Sequence, residues 1–335
     1  MKLVISGGLG FIGSNFCRLV LKDYVDYEVV NVDKVGVGAN PVNLRDLEND
    51  KRYSFVKGDI CDSPLVNKIV KQADAVVNIA AETHVDRSIS DPYFFLQNNT
   101  LGTYTLLEAL RKHNDEATFV QVSTDEVYGE ISEGAFTESD AVKPSNPYSA
   151  SKAAADMFVQ AYHKTYGLKT LITRCTNNFG SYQFPEKLIP KTIIRATKNL
   201  SVPIYGSGKN VREWIYVVDH CEAVRTVLKK GRPGEVYNVS SGSELSNLEL
   251  VKRILALLRK PDKLISFVED RPGHDIRYSL NSSKIRTELG WKPKFSFNKA
   301  LSSTVKWYVD NEKWWKPLAT EDVLNPTPWK PRGYP

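Results

Sequence analysis

Short β-branched runs alternate with longer amphipathic stretches through the first half of the chain. Lys2–Ser6, Glu28–Asp33, Tyr53–Asp59, Asp74–Ala81, Thr118–Thr124 and Lys169–Asn177 read as buried strands, and helical periodicity fills most of the intervals between them. Strands without polar alternation, each followed by a helix, predict an α/β fold with a doubly wound parallel sheet. Beyond Asn177 the rhythm changes. Glu186–Asn199 reads as helix and Trp214–Asp219 as strand, while Ser246-Asn247-Leu248-Glu249 is a capping box opening a helix with Leu248, Val251, Leu255 and Leu258 on one face. The expected organisation is a first unit over residues 1–176, to which 214–240 and about 297–312 return, a smaller mixed α/β unit over 177–213 and 241–296, and an irregular tail over 313–335, rich in tryptophan and proline.

At 335 residues, 41% hydrophobic and 25% charged, the chain has enough apolar side chain for a sizeable core, which excludes a disordered protein. No apolar run approaches the roughly 20 residues a membrane span needs, and glycine at position 7 interrupts any signal-peptide core, so a soluble cytoplasmic protein is expected. Cys17, Cys61, Cys175 and Cys221 show neither CxxC nor His/Cys ligand spacing; the expectation is reduced thiols and no metal site. A net charge of +6 without any long like-charge block does not point to nucleic acid and suits a small anionic ligand as well.

Gly7-Gly8-Leu9-Gly10-Phe11-Ile12-Gly13 follows the first strand and opens a helix. Glycines there allow a tight turn and close approach of backbone to a pyrophosphate, and the helix N-terminus supplies oriented N–H groups, which is the Rossmann dinucleotide fingerprint. Asp33 ends the second strand 20 residues past Gly13, where its carboxylate reaches the adenosine ribose and repels a 2′-phosphate; NAD is expected rather than NADP. Asp59, closing the third strand, is placed near the adenine edge. Gly206-Ser207-Gly208-Lys209-Asn210 lacks the distal glycine and the Ser/Thr of a phosphate loop and reads as a turn.

Tyr148 and Lys152 stand at i and i+4, so phenol and ammonium share a helix face and the cation is expected to favour phenolate, lowering the phenol's pKa toward neutral pH and making it a general base. Ser123-Thr124-Asp125-Glu126-Val127-Tyr128-Gly129 sits at the carboxyl end of the fifth strand, where ligands bind in open α/β sheets. Two neighbouring acids in one partly dry site can separate into a proton donor and a base.

Together with Glu82-Thr83-His84-Val85-Asp86-Arg87-Ser88-Ile89, the run Asn177 to Pro190, Asn210 to Tyr216 and Arg271 to Tyr278, these motifs resemble the dTDP-glucose 4,6-dehydratase family of the extended short-chain dehydrogenase/reductase superfamily, from residue 1 to about 310. The resemblance implies an NAD-dependent lyase. Tyr148, with Lys152 and Thr124, would deprotonate the sugar O4 as hydride leaves C4; Glu126 would take the C5 proton, and Asp125 would protonate the departing C6 oxygen. It adds Phe11, Ile12, Lys34, Ile60, Ala80, Ala81 and Thr83 to Gly7, Gly10, Gly13, Asp33 and Asp59 around the cofactor. It also places His84, Ser88, Asn178, Glu186, Lys187, Arg212, Asn247, Arg271, His274 and Tyr278 along the nucleotide-sugar cleft, with the two arginines suited to bidentate contact with its pyrophosphate. The stretch Lys34 to Asn40 departs from the family's Thr-Tyr-Ala-Gly-Asn order, and Phe179 and Ser181 replace Tyr and Pro. Family members pair two helices per subunit into a four-helix bundle; Asp91–His113 and Pro147–Tyr166 are the candidates for a homodimer, with Phe94, Leu101, Tyr104, Leu107 and Leu110 apolar. A nucleotide-sugar 4-epimerase would share NAD, Tyr148 and Lys152 but has no need of Asp125 with Glu126. A non-catalytic NAD-binding protein would need none of the four, and a fold alone proves no activity.

Overall fold

The structure, a computed structural model, describes residues 1–329, so residues 330–335 of the expected tail lie outside the described residues. In chain order its first part comprises β1 (Lys2–Ser6), α1 (Phe11–Asp23), β2 (Glu28–Asp33), β3 (Tyr53–Lys57), α2 (Ser63–Val70), β4 (Ala75–Asn78), α3 (Val85–Ser90), α4 (Pro92–Phe95), α5 (Gly102–His113), β5 (Thr118–Thr124), α6 (Pro147–Tyr166) and β6 (Thr170–Cys175). Then follow β7 (Asn177–Phe179), α7 (Leu188–Thr197), β8 (Val202–Tyr205), β9 (Val211–Tyr216), α8 (Val217–Lys230), β10 (Val236–Val239), β11 (Glu244–Ser246), α9 (Asn247–Leu257), β12 (Ile265–Val268), α10 (Ser283–Leu289), α11 (Phe297–Asp310) and α12 (Glu312–Trp315).

Seven strands pair in parallel in the order β10-β6-β5-β4-β1-β2-β3. Side chains alternate across it, and both faces are buried. Leu3 and Ile5 meet Phe16 and Val20 of α1 and Val224 of α8, whereas Val4 and Val76 meet Val66 of α2, Leu106 of α5 and Val159 of α6. The strand order reverses between β1 and β4, which opens a crevice at their carboxyl ends. β3 and β4 are shorter than the apolar runs suggested because Asp59, Ala80 and Ala81 have left the sheet for that crevice; the Asp59 carboxylate accepts from Cys61 N at 2.9 Å and turns the chain.

The remaining strands form two small sheets, β11-β9-β7 and β12-β8. The segment 214–240 divides between the sheets: residues to Tyr216 stay in the three-stranded sheet through β9, while α8 covers the large sheet and β10 completes it against β6. Two expectations are corrected. The segment 297–312 does not return to the large sheet; α11 packs its Ala300, Leu301, Val305 and Tyr308 on Ile189 and Ile193 of α7 and Ile254 of α9. Conversely Ile285 and Leu289 of α10, with Trp291, sit in the large sheet's core although they lie inside 241–296. Amphipathicity shows that a helix buries one face, not which core receives it. The Ser246–Glu249 capping box is present in both directions, and α9 turns Val251 and Leu255 into one cluster and Leu250 and Ile254 into another.

Leu107 and Leu110 of α5, read as surplus apolar residues, are buried in the chain's own core. Outward-facing are Leu101, in the turn that leads into α5, Tyr104 of α5, and Met157 and Phe158 of α6, at 44%, 37%, 43% and 40% exposure. Among the described residues no helix is long and apolar enough to cross a membrane, and no cluster of three His, Cys, Asp or Glu side chains is placed to hold a metal ion.

Candidate functional site

The turn after β1 ends at Gly10, the N-cap of α1, which has no side chain to satisfy the helix's first N–H groups. A side chain has no room in this turn. A Cβ on Gly7, at φ +75°, would stand 2.7 Å from Ala80 backbone, and one on Gly13 would stand 2.1 Å from the Gly7 carbonyl oxygen. The turn forms the floor of a cavity of about 280 Å³, also lined by Phe11, Ile12, Asp33, Lys34, Asp59, Ile60, Ala80, Ala81 and Thr83. The divergent loop contributes Gly36, Val37, Gly38 and Ala39 to the wall. Asp33 accepts hydrogen bonds from Leu9 N at 3.0 Å and Val35 N at 2.8 Å, and burial raises its carboxyl above the usual range. Lys34 lies over the Phe94 ring at 4.9 Å and 3.7 Å from Asp59.

At the other end of the cavity β5 delivers Thr124, Asp125 and Glu126, and α6 delivers Tyr148 and Lys152. Thr124 caps the short turn Asp125–Tyr128: its hydroxyl accepts from Glu126 N at 3.3 Å and donates to Asp125 Oδ1 at 3.1 Å. An Asn146–Ser149 capping box with Pro147 in the first turn starts α6 and so fixes where Tyr148 and Lys152 stand. The expected effect of Lys152 on Tyr148 is not what the structure shows. The ammonium donates to the Val122 carbonyl at 2.8 Å, and burial lowers its own pKa. Burial, then the charge of Glu126, pushes the Tyr148 phenol well above 10, and a hydrogen bond with Thr124 works the other way.

The two acids differ. Burial raises Asp125 well above the usual carboxyl range and Glu126 adds to it, so Asp125 keeps its proton most readily. Glu126 is raised by burial too, but the charges of Arg271, Arg212 and Lys187 pull it back. Asp125 Oδ2 and Glu126 Oε2 are both buried without a hydrogen-bond partner among the described residues. Unmet acid oxygens beside a cavity mark a place that awaits a polar ligand.

A second cavity of about 180 Å³ continues the first; Thr83, Glu126, Asn177, Glu186 and Lys187 line both. His84, Arg212, Asn247, Arg271, His274 and Tyr278 line only the second, and Asn178 only the first. Burial holds the His84 imidazole neutral, with Nδ1 3.6 Å from Glu186. Arg271 pairs with Asp86 at 2.7 Å and leaves Nε without a partner. Arg212 lies 4.3 Å over the Tyr278 ring and donates to the Asp275 carbonyl at 2.9 Å and the Val211 carbonyl at 2.8 Å. Its fork is thus largely engaged by backbone, which leaves it as an electrostatic wall rather than the free bidentate clamp the sequence suggested. Ser88 lines neither cavity: fully buried, it donates to the Val85 carbonyl at 2.7 Å and accepts from Tyr148 N at 3.2 Å, so it steadies the start of α6 from behind. Sequence reasoning missed Asp86, Lys191 and Tyr205, all lining the second cavity. Asp86 lies within a motif already singled out, whereas nothing local distinguishes Tyr205 from any tyrosine at a strand end.

Residues 4–304 match the family model described as GDP-mannose 4,6 dehydratase. The dTDP-glucose 4,6-dehydratase of Streptomyces niveus is 47% identical over 332 residues, 98% of each chain. The crystal structure of DesIV, the dTDP-glucose 4,6-dehydratase of Streptomyces venezuelae, determined with NAD bound, superposes with a TM-score of 0.93 at 45% identity, over 95% of this chain and 100% of that one. A UDP-glucuronic acid 4-epimerase from Bacillus cereus also shares the fold, at 28% identity and a TM-score of 0.87, over 92% and 99% of the two chains. Full-length likeness at nearly half identity, on a scaffold that brings a dinucleotide turn, a Tyr/Lys pair and a Thr-Asp-Glu turn into one crevice, shows that the chain belongs to the dTDP-glucose 4,6-dehydratase family of the extended short-chain dehydrogenase/reductases.

Proposed function

We propose that the chain is an NAD-dependent dehydratase that converts dTDP-glucose to dTDP-4-keto-6-deoxyglucose and water. The observation that carries this reading is the pair Asp125 and Glu126: adjacent, each with one buried oxygen that has no partner among the described residues, and held by their surroundings at different proton affinities. An epimerase that only oxidises and reduces C4 has no use for such a pair. The uncapped α1 N-terminus, the glycine turn and Asp33 fit NAD, which supplies a hydride acceptor at C4 and a donor at C6 within one turnover.

Tyr148 would act as phenolate, a form that the positive charges of bound NAD and of Lys152 would favour over the protonated phenol of the empty site, and would take the O4 proton with Thr124 at its hydroxyl; Lys152 is anchored on the Val122 carbonyl. Oxidation at C4 acidifies the C5–H bond. Glu126, at the junction of the two cavities, takes that proton, and Asp125 gives its own to the C6 oxygen, which leaves as water; Glu126 then returns its proton to C5 as C6 is reduced, and the proton released from Tyr148 offsets the one given up by Asp125. Lys187 and Glu186 flank the sugar, and Arg271, Arg212, Asn247 and Tyr278 hold the nucleotide end. The enzyme works as a cytoplasmic homodimer: Leu101 at the entry to α5, Tyr104 of α5, and Met157 and Phe158 of α6 form an outward apolar face suited to a four-helix bundle, and its four cysteines are free thiols. Incubation of purified protein with dTDP-, UDP- and GDP-hexoses, followed by mass spectrometry, tests the reading. Loss of one water from dTDP-glucose is expected; a product of unchanged mass overturns dehydration in favour of epimerisation.

A further inference from the structure

Beyond α12 the chain runs as an irregular strap along α7. Trp315, Ala319 and Leu324 join the apolar cluster of Ile189 and Ile193, and two cations of α7 reach out to the strap's backbone: Lys191 donates to the Asn325 carbonyl at 3.1 Å and Arg195 to the Leu324 carbonyl at 2.9 Å. Arg195 also donates to the Ser201 carbonyl, just ahead of β8, so the strap is tied to the strand that carries Tyr205. At the strap's far end Trp329 is 5% exposed and stands edge-on to the Tyr205 ring, with centroids 4.5 Å apart and planes at 76°.

Tyr205 lines the second cavity and donates its hydroxyl proton to Asp86 Oδ2 at 3.0 Å. The other oxygen of Asp86 holds Arg271 at 2.7 Å. A line of contacts therefore runs from Trp329 through Tyr205 and Asp86 to the Arg271 guanidinium, which lines the second cavity with Arg212 and Lys191, although Trp329 itself does not line it. Among the described residues β8 pairs with β12 alone and ends at Tyr205, opposite Val268, in the turn around Gly206 at φ +53°; the backbone is held there, and the ring is left to its aromatic neighbours, Trp329 and, with centroids 6.2 Å away, His274. Of the two, Trp329 is the nearer, at 4.5 Å between centroids, and so does most to limit the ring's orientation, and with it the hydrogen bond to Asp86.

We propose that Trp329 is a positioning residue of the nucleotide-sugar cleft, which holds Tyr205 so that Asp86 and Arg271 stay aligned for the substrate's diphosphate. The contact line stands on the structure; the identity of its ligand rests on the dehydratase reading. The test is titration calorimetry with dTDP and steady-state kinetics with dTDP-glucose on Trp329→Ala, Trp329→Phe, Tyr205→Phe and the double variant Trp329→Ala/Tyr205→Phe. Trp329→Ala is expected to raise the dTDP Kd and the KM roughly three- to ten-fold, the range set by losing one aromatic pair, while kcat changes less than two-fold. Trp329→Phe restores most of the loss, and the double variant is no worse than the poorer single one because both act through one hydrogen bond. Unchanged Kd and KM in Trp329→Ala, or strictly additive losses, overturn the proposal. Should Trp329→Ala fail to accumulate, Trp329→Leu, which keeps bulk without an aromatic edge, replaces it under the same criteria. Absence of dehydration in the wild type strikes the functional reading alone, since the dTDP titration still judges the strap.

Discussion

His220 stands in the first turn of α8, fully buried, and neither ring nitrogen has a hydrogen-bond partner among the described residues. Burial pushes its imidazole down to about 4 from 6.5. The unfolded chain therefore binds more protons than the folded one between those values, and stability falls as pH falls through that window. With the two values entered in the linkage relation, this one residue costs about 2 kcal/mol between pH 7 and pH 5. His220→Leu removes the titration while keeping apolar volume, and His220→Gln removes it while keeping a polar group. Urea unfolding of the wild type and both variants at pH 7 and pH 5, at fixed protein and saturating NAD, isolates the effect, because all other titrating groups are common to the three proteins. The wild type should lose about 2 kcal/mol more than either variant across the interval. A difference below about 0.5 kcal/mol, the usual additivity error, refutes the reasoning. The result bears on mechanism as well: only in a background without this unfolding contribution does an acid limb in the pH–rate profile report on the active-site groups.

Glu126→Gln should still show NADH absorbance when dTDP-glucose is added, yet fail to exchange C5–H with deuterium oxide and lose two to four orders of magnitude in kcat; wild-type dehydration by this variant would remove Glu126 from the chemistry. Asp125→Asn should slow water loss while C5 exchange persists, and loss of exchange in both variants would mean that the two proton transfers are concerted. Asp33→Ala should narrow the preference for NAD over NADP measured by calorimetry, and equal binding of both cofactors by the wild type would contradict the role given to this carboxylate. Leu101→Glu combined with Phe158→Glu should turn a dimer into a monomer in sedimentation velocity, and an unchanged sedimentation coefficient would place the interface elsewhere.

What was legible in the sequence was local. Six of the seven strands of the large sheet, the glycine turn, the place of Asp33 at the end of β2 and the α9 capping box each declare themselves within a few residues, and structure and sequence agree there, whereas β10 is not among the strands read from the sequence. Contacts made across the chain were not legible. α11 carries an apolar stripe that suits either core, and only the three-dimensional arrangement sends it to α7 and α9. Tyr148 and Lys152 have the right spacing for a shared face, but their mutual effect depends on the Val122 carbonyl that captures the ammonium and on how deeply the phenol is buried. Ser88 sits in a functional-looking motif and faces away from the cavities, while Tyr205 sits in none and lines one. The tail read as irregular packing because its partners, Lys191, Arg195 and Tyr205, are more than a hundred residues away.

The large sheet borrows its last strand from far along the chain. Between Cys175 at the end of β6 and Val239 at the end of β10 the ribosome must add 64 residues, roughly three to thirteen seconds of synthesis at ordinary rates. For that interval β6, paired with β5 on one side, is an open edge on the other, and the face of Leu3, Ile5 and Val120 lacks α8 until the interval is nearly over. A nascent chain stalled after residue 176 is thus a sticky intermediate, not a finished module, and chaperone occupancy should peak there and fall once β10 has emerged.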